Sequence, residues 1–162
     1  MLIVGERINT SRKPIAEAAE RRDAELIVQE ANLQVEAGAH IIDVNAGTFA
    51  ERERENLKWL VDTLQDGTDA PLCLDSSDPD LVGELLQHDG QIMMVNSISA
   101  EREKFAAMVP LIKKYGCKVV ALGLDDEGIP ADFEKKLHII FRLLDGLLSE
   151  GIAPENIYVD PL

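Results

Sequence analysis

A chain of 162 residues, 46% of them apolar, has enough material for one domain with a buried core. A formal net charge of −14 argues against nucleic acid or an anionic membrane surface as partner, because both demand Lys and Arg. No segment approaches the roughly 20 apolar residues of a membrane span, and the stretch Met1–Arg7 has no basic region ahead of its apolar run.

A cytoplasmic location is therefore expected, with Cys73 and Cys117 as small buried hydrophobes rather than a disulfide.

In chain order, residues 2–9 read as a first strand, apolar through Val4 and polar by Asn9. Residues 23–37 carry a helical stripe through Leu26, Ile27, Leu33 and Val35, closed by Gly38. Residues 40–47 form a second strand ending in Asp43 and Asn45, and residues 51–65 a helix with Leu57, Leu60, Val61 and Leu64 apolar. The third strand, residues 71–76, ends in Asp75 and Ser76. Asp78 is placed to cap a short helix opening at Pro79, and Gly90 to end that unit. The fourth strand, residues 92–96, ends in Asn96 and Ser97. Ser99 is placed to cap a helix through Phe105, Met108, Val109 and Ile112, with Pro110 expected to kink or break it. Residues 118–124 form the fifth strand, and residues 132–149 the longest helix, with Leu137, Ile140, Phe141, Leu144 and Leu148 on one face. The sixth strand, residues 156–162, carries Asp160.

Strands alternating with helices imply a parallel sheet covered on both faces. A doubly wound nucleotide-binding sheet normally carries a Gly-rich turn after its first strand, and Gly5-Glu6-Arg7-Ile8-Asn9-Thr10 is not one. A (β/α)8 barrel instead gathers polar groups at the C-terminal ends of many strands. Most of these strands end that way, so the fold class is α/β, a (β/α)8 TIM barrel of which the chain supplies about strands one to six. A barrel needs eight strands and usually about 250 residues, so residues 1–162 are expected to be a barrel domain incomplete at its C-terminus.

Side-chain alternation places Cys73 with Asp75, Met94 with Asn96, and Tyr158 with Asp160. If those faces point inward, Asp75, Asn96 and Asp160 converge at the barrel mouth, with Ala121 and Gly123 of the fifth strand leaving room for a flat ligand. Two carboxylates and a carboxamide suit a ligand edge rich in hydrogen-bond donors, such as the adjacent NH and NH2 of a pterin. The alternative is that these residues are caps and turns at strand–helix junctions, where Asp, Asn and Ser are common. His40, His88 and His138 do not form a metal set, and no metal is expected. The run Asp125-Asp126-Glu127 reads as a solvated loop, and Trp59 as a packing residue.

Five stretches carry a family resemblance: Gly5-Glu6-Arg7-Ile8-Asn9, Asp43-Val44-Asn45-Ala46-Gly47, Leu74-Asp75-Ser76-Ser77, Val95-Asn96-Ser97-Ile98-Ser99 and Asp160-Pro161-Leu162. On them the chain resembles the pterin-binding methyltransferases, that is, the methyltetrahydrofolate:corrinoid protein methyltransferases related to the folate domain of cobalamin-dependent methionine synthase. The resemblance implies that Asp75, Asn96 and Asp160 hydrogen-bond the pterin ring, with Asp43, Asn45, Glu6, Asn9 and Ser97 in or near the pocket. It implies transfer of the N5-methyl group of methyltetrahydrofolate to Co(I) of a corrinoid carried by a partner protein, in a homodimeric enzyme. The catalytic group is not named by these residues. In the family, the proton on N5 is held by a network that includes a polar residue after strand seven. Two alternatives stay open: a dihydropteroate synthase-like enzyme, and a folate-binding domain without catalysis. Dihydropteroate synthases typically open with an Asn-Val-Thr-Pro-Asp-Ser-Phe-like loop, which the segment after Ile8 lacks.

Overall fold

In the computed structural model, which describes residues 1–87 and 91–162, six strands and six α-helices alternate as an α/β chain, apart from one pair of consecutive helices. The expectations for His88 and Gly90 lie outside the described residues. The chain forms two compact units, Met1–Ser76 with Gln87–Met93, and Ser77–Leu86 with Met94–Leu162.

The first unit holds strands β1 (Val4–Asn9), β2 (Ile41–Asn45) and β3 (Leu72–Asp75), paired in parallel in that order. β2 and β3 run in step, Ile42 against Leu72 through to Asn45 against Asp75. β1 follows with Gly5 against Ile42, shifts register at Glu6 and Arg7, and resumes with Ile8 against Val44 and Asn9 against Asn45. Residues in register on parallel strands share a face. One face therefore carries Ile8, Ile42, Val44, Leu72 and Leu74, all fully buried. Helices α2 (Ala24–Glu36) and α3 (Glu53–Gly67) cover the strands. Close approach demands Gly5, where a Cβ would sit 2.6 Å from Oε1 of Gln34 on α2, an oxygen that accepts the Arg7 main-chain N–H at 2.9 Å.

Helix α1 (Lys13–Arg21) is an element the sequence reading lacks. Its buried face is Ile15, Ala18 and Ala19, too weak in apolar volume to register as a stripe. In α2 the buried residues are Ile27, Ala31 and Gln34, whereas the predicted Leu33 and Val35 face solvent. Asp23 caps that helix by accepting the Leu26 N–H, and Gly38 follows it at φ 103°. Trp59 of α3 is half-buried, with the Arg22 guanidinium 5.0 Å above its ring.

The second unit holds α4 (Pro79–Leu85), most of β4 (Ile92–Ser99), α5 (Arg102–Tyr115), β5 (Lys118–Leu122), α6 (Phe133–Ser149) and β6 (Ile157–Asp160). β4, β5 and β6 pair in parallel in that order. Asp78 caps α4 as expected, accepting the N–H groups of Asp80 and Leu81. Ser99 is not a helix cap. It ends β4, and its hydroxyl donates to the Glu101 carboxylate at 2.6 Å. α5 runs on through Pro110, anchored by buried Met108, Val109 and Ile112, so the expected break is absent. On α6 the buried residues are Ile139, Ile140, Leu143 and Leu147, while Leu137, Phe141 and Leu148 are exposed. That helix carries two apolar stripes, and periodicity alone does not decide which one packs.

Gly67 ends α3 in close contact with α2: a Cβ there would meet Val28 Cγ2 at 2.2 Å. Alanine gains at most about 1 kcal/mol of helix propensity, whereas overpacking costs typically about 1–3 kcal/mol. Gly67→Ala is expected to lower unfolding free energy by about 1–2 kcal/mol in chemical denaturation. Val28→Ala should cost less in that background than in the wild type, and an equal cost in both would remove this contact as the cause.

Candidate functional site

The polar strand ends of the first unit form a single row. Asn9, Asn45 and Asp75 lie in register across β1, β2 and β3 at their C-terminal ends, the end where parallel α/β folds place ligands. One step back on the same face stand Asp43 and Cys73, again in register. Four of the sequence-predicted residues, Asn9, Asp43, Asn45 and Asp75, are thus brought together. Glu6, exposed in the β1 register shift, lies within electrostatic reach of Cys73.

Hydrogen bonds set the geometry of this row. Asn45 Nδ2 donates to Asp75 Oδ2 at 2.9 Å and to the Asp75 carbonyl at 3.3 Å. Asn45 Oδ1 accepts the Gly47 N–H at 3.0 Å, and Asn9 Oδ1 accepts the Ser11 N–H at 2.9 Å. Above the row, the Thr48 and Thr10 hydroxyls are 2.8 Å apart. On the opposite face, the Ser76 hydroxyl donates to Glu53 at 2.6 Å. The Asn45–Asp75 link was not part of the sequence reading. Its signal is the shared two-residue spacing of Asp43/Asn45 and Cys73/Asp75, which puts one pair beside the other once the strands pair in step.

In the second unit, Asn96 is in register with Val120 and Tyr158, and Asp160 with Leu122. Period-two alternation then puts Asn96 and Asp160 on one face of this sheet, with Val120 and Leu122 between their strands. Ala121 and Gly123 are corrected to the other face: a Cβ on Gly123 would sit 3.2 Å from Ile140 of α6. The face over which a flat ligand was expected thus carries Val and Leu side chains from β5, not a small-residue gap. Ser97 falls in the β4 register shift and is buried. Asp160 is exposed, and its Oδ1 accepts the Leu162 N–H at 2.8 Å. A cleft of about 850 Å3 opens in this unit beside Pro79, Asp80, Arg102, Lys104 and Asp126, and none of Asn96, Ser97 or Asp160 lines it.

The acidic loop is spoken for by cations: Asp125 pairs with Arg142 at 2.9 Å, Asp126 with Arg102 at 2.9 Å and Glu127 with Lys135 at 2.5 Å. Among the described residues no group of His, Cys, Asp and Glu is arranged to hold a metal ion, and no helix is long and apolar enough to cross a membrane.

Cys73 is part of the site's electrostatics. Burial first, then the Asp43 charge, the thiol's hydrogen bond to Asp43 and the charges of Asp75 and Glu6 push its ionisation far above the ordinary thiol range. Burial likewise pushes Cys117 up to about 11. Both remain neutral thiols at physiological pH, and Cys73 acts as a hydrogen-bond donor to a carboxylate. Neither thiol should react with a disulfide reagent in the native protein at pH 8, and both should react in denaturant. Rapid modification of native Cys73 would contradict this environment.

Comparison with known proteins identifies the family of the chain. The family of pterin binding enzymes matches residues 5–162. The methylcorrinoid:tetrahydrofolate methyltransferase of Eubacterium limosum is 35% identical over 163 residues, covering 99% of this chain and 60% of the relative. The methionine synthase of Mycobacterium tuberculosis is 28% identical over 169 residues, covering 100% of this chain and 14% of the relative. The chain thus spans less than two thirds of the length of these relatives. Among solved structures, a dihydropteroate synthase from Clostridium difficile in the presence of pteroic acid superposes with a TM-score of 0.78 at 22% identity, covering 99% of this chain and 64% of that one. At that identity the likeness is one of fold, and it makes the six parallel strands part of a TIM barrel. Matched from residue 5 through residue 162, this chain belongs to the pterin-binding enzyme family.

Proposed function

We propose that the protein binds the pterin of methyltetrahydrofolate through Asp75, Asn96 and Asp160, and takes part in methyl transfer between N5 of that folate and a corrinoid carried by a partner protein. The observation that carries this reading is the Asn9–Asn45–Asp75 row, with Asp43 and Cys73 behind it. Its side chains are amides, carboxylates and a neutral thiol, and none is a cation. Such a surface suits a neutral ligand edge of adjacent NH and NH2 donors, to which a carboxylate offers two parallel acceptors. The identity to the methylcorrinoid:tetrahydrofolate methyltransferase, named for transfer from corrinoid to folate, supports methyl exchange between the two in either direction, whereas the likeness to dihydropteroate synthases supports the barrel alone.

In the transfer, N5 is a poor leaving group unless protonated. With the proton in place, the N5–carbon bond breaks and its electron pair stays on N5, which departs as a neutral amine. The electron pair of Co(I) forms the new cobalt–carbon bond. The residues of this chain would bind and orient the pterin so that N5 meets the corrinoid, a positioning role that supplies much of a transfer enzyme's rate.

Two measurements test this. Titration calorimetry should detect methyltetrahydrofolate binding to the full-length protein, and Asp160→Ala or Asp75→Ala should weaken it by about ten- to a hundredfold, as loss of a hydrogen bond to a charged group does. Absence of folate binding would sink the reading. Mixing the folate-loaded protein with a Co(I) corrinoid protein should give loss of the Co(I) absorbance with formation of methylcobalt. Binding without that change would reduce the protein to a folate-binding domain.

A further inference from the structure

We infer that Asn45 is a positioning residue that sets the plane of the Asp75 carboxylate, its N–H groups turned to Asp75 and not to the ligand. This deepens the pterin-binding reading and rests on it. The orientation of the Asn45 amide is determined by its partners. The Gly47 main-chain N–H can only donate, so the atom it meets at 3.0 Å is the amide oxygen. The amide nitrogen is thereby turned toward Asp75, where it meets Oδ2 at 2.9 Å and the main-chain carbonyl at 3.3 Å. Both donor contacts of the Asn45 amide go to one residue, while its oxygen gives one of two acceptor sites to Gly47.

The choice of a neutral amide has a chemical consequence. A guanidinium or ammonium at this distance would also orient Asp75, but it would cancel the charge that a donor-rich ligand edge is to meet. An amide fixes the carboxylate's rotation and leaves its charge in place. Each carboxylate oxygen has two acceptor sites, so the bond from Asn45 does not exhaust Oδ2. The register makes the arrangement possible: Asn45 and Asp75 are opposed on neighbouring parallel strands, and the main-chain contact ties the amide to the strand that carries the carboxylate. The other titratable groups on this face are Asp43 of β2 and Cys73 of β3, with Glu6 of β1 in electrostatic reach.

The test replaces the donor by an acceptor of the same shape. In Asn45→Asp two carboxylates stand about 3 Å apart, and such a pair shares a proton, one member ionising only at raised pH. Methyltetrahydrofolate affinity, measured by calorimetry on the full-length protein between pH 5 and pH 8, should match the wild type near the acid end, where the shared proton restores a donor to Asp75. It should fall about ten- to a hundredfold below wild type at the alkaline end, with thermal unfolding confirming a folded variant throughout. A loss that is the same at every pH, or no loss at all, overturns the inference while leaving pterin binding intact. Failure of the wild type to bind folate is the separate failure of the reading above. A ligand-free crystal structure of Asn45→Ala decides the inference in that case too, or if Asn45→Asp does not fold. An Asp75 carboxylate that rotates or takes several conformers supports it, and one held in its wild-type plane overturns it.

Discussion

The site rests on one constraint, the register of three parallel strands. Had β1 continued in step after Gly5, Ile8 would oppose Asn45, and Asn9 would lie beyond the row. The shift at Glu6 and Arg7 moves Ile8 against Val44 and Asn9 against Asn45. The apolar face enforces this choice. Ile8, Val44 and Leu74 are each fully buried in one row, and a one-residue slip would turn a large aliphatic side chain onto the polar face. Burying each such side chain is worth about 1.5–3 kcal/mol, comparable with one hydrogen bond to a charged group, and three of them are buried in this row. The hydrophobic face thus sets where the polar face places its groups.

That polar face gathers carboxyl groups without cations in its row. Asp43 is 2% exposed and receives a thiol hydrogen bond from Cys73, and Asp75 receives an amide from Asn45. Neutral donors satisfy part of the hydrogen-bonding demand of these buried or half-buried carboxyl groups. Several of the chain's Arg residues are employed elsewhere. Arg7 and Arg12 both reach Glu30, Arg22 reaches Asn56 and Glu55 while lying over Trp59, and Arg142 holds Asp125. The exposed pairs among these contribute little to stability, so their main effect is to organise the outer surface.

Much of the architecture could be read from residue order. Apolar runs of strand length located all six strands, five of them ending in Asp, Asn or Ser, and Asp78 and Gly38 marked helix ends through the ordinary physics of capping. Helix α1 escaped because Ala18 and Ala19 bury through close approach, not through bulk. The buried stripes of α2 and α6 were misread where two apolar stripes compete, because exposure depends on which neighbour covers the helix. In β5, alternation separated Ala121 and Gly123 from Val120 and Leu122 but did not say which pair faced α6. The side chain of Ile140 decides that.

The candidate site divides in the same way. The sequence by itself determined the residue types at the strand ends, their two-residue spacing and hence the shared faces of Asp43 with Asn45 and of Cys73 with Asp75, because side-chain alternation is a property of any extended chain. Only the tertiary structure decided that these two pairs stand side by side, that Asn45 spends its amide on Asp75, and that the Cys73 thiol donates to Asp43. Those facts depend on the register between strands about 30 residues apart in sequence, and register is settled by packing the opposite, apolar face against helices, a long-range interaction that no local pattern encodes.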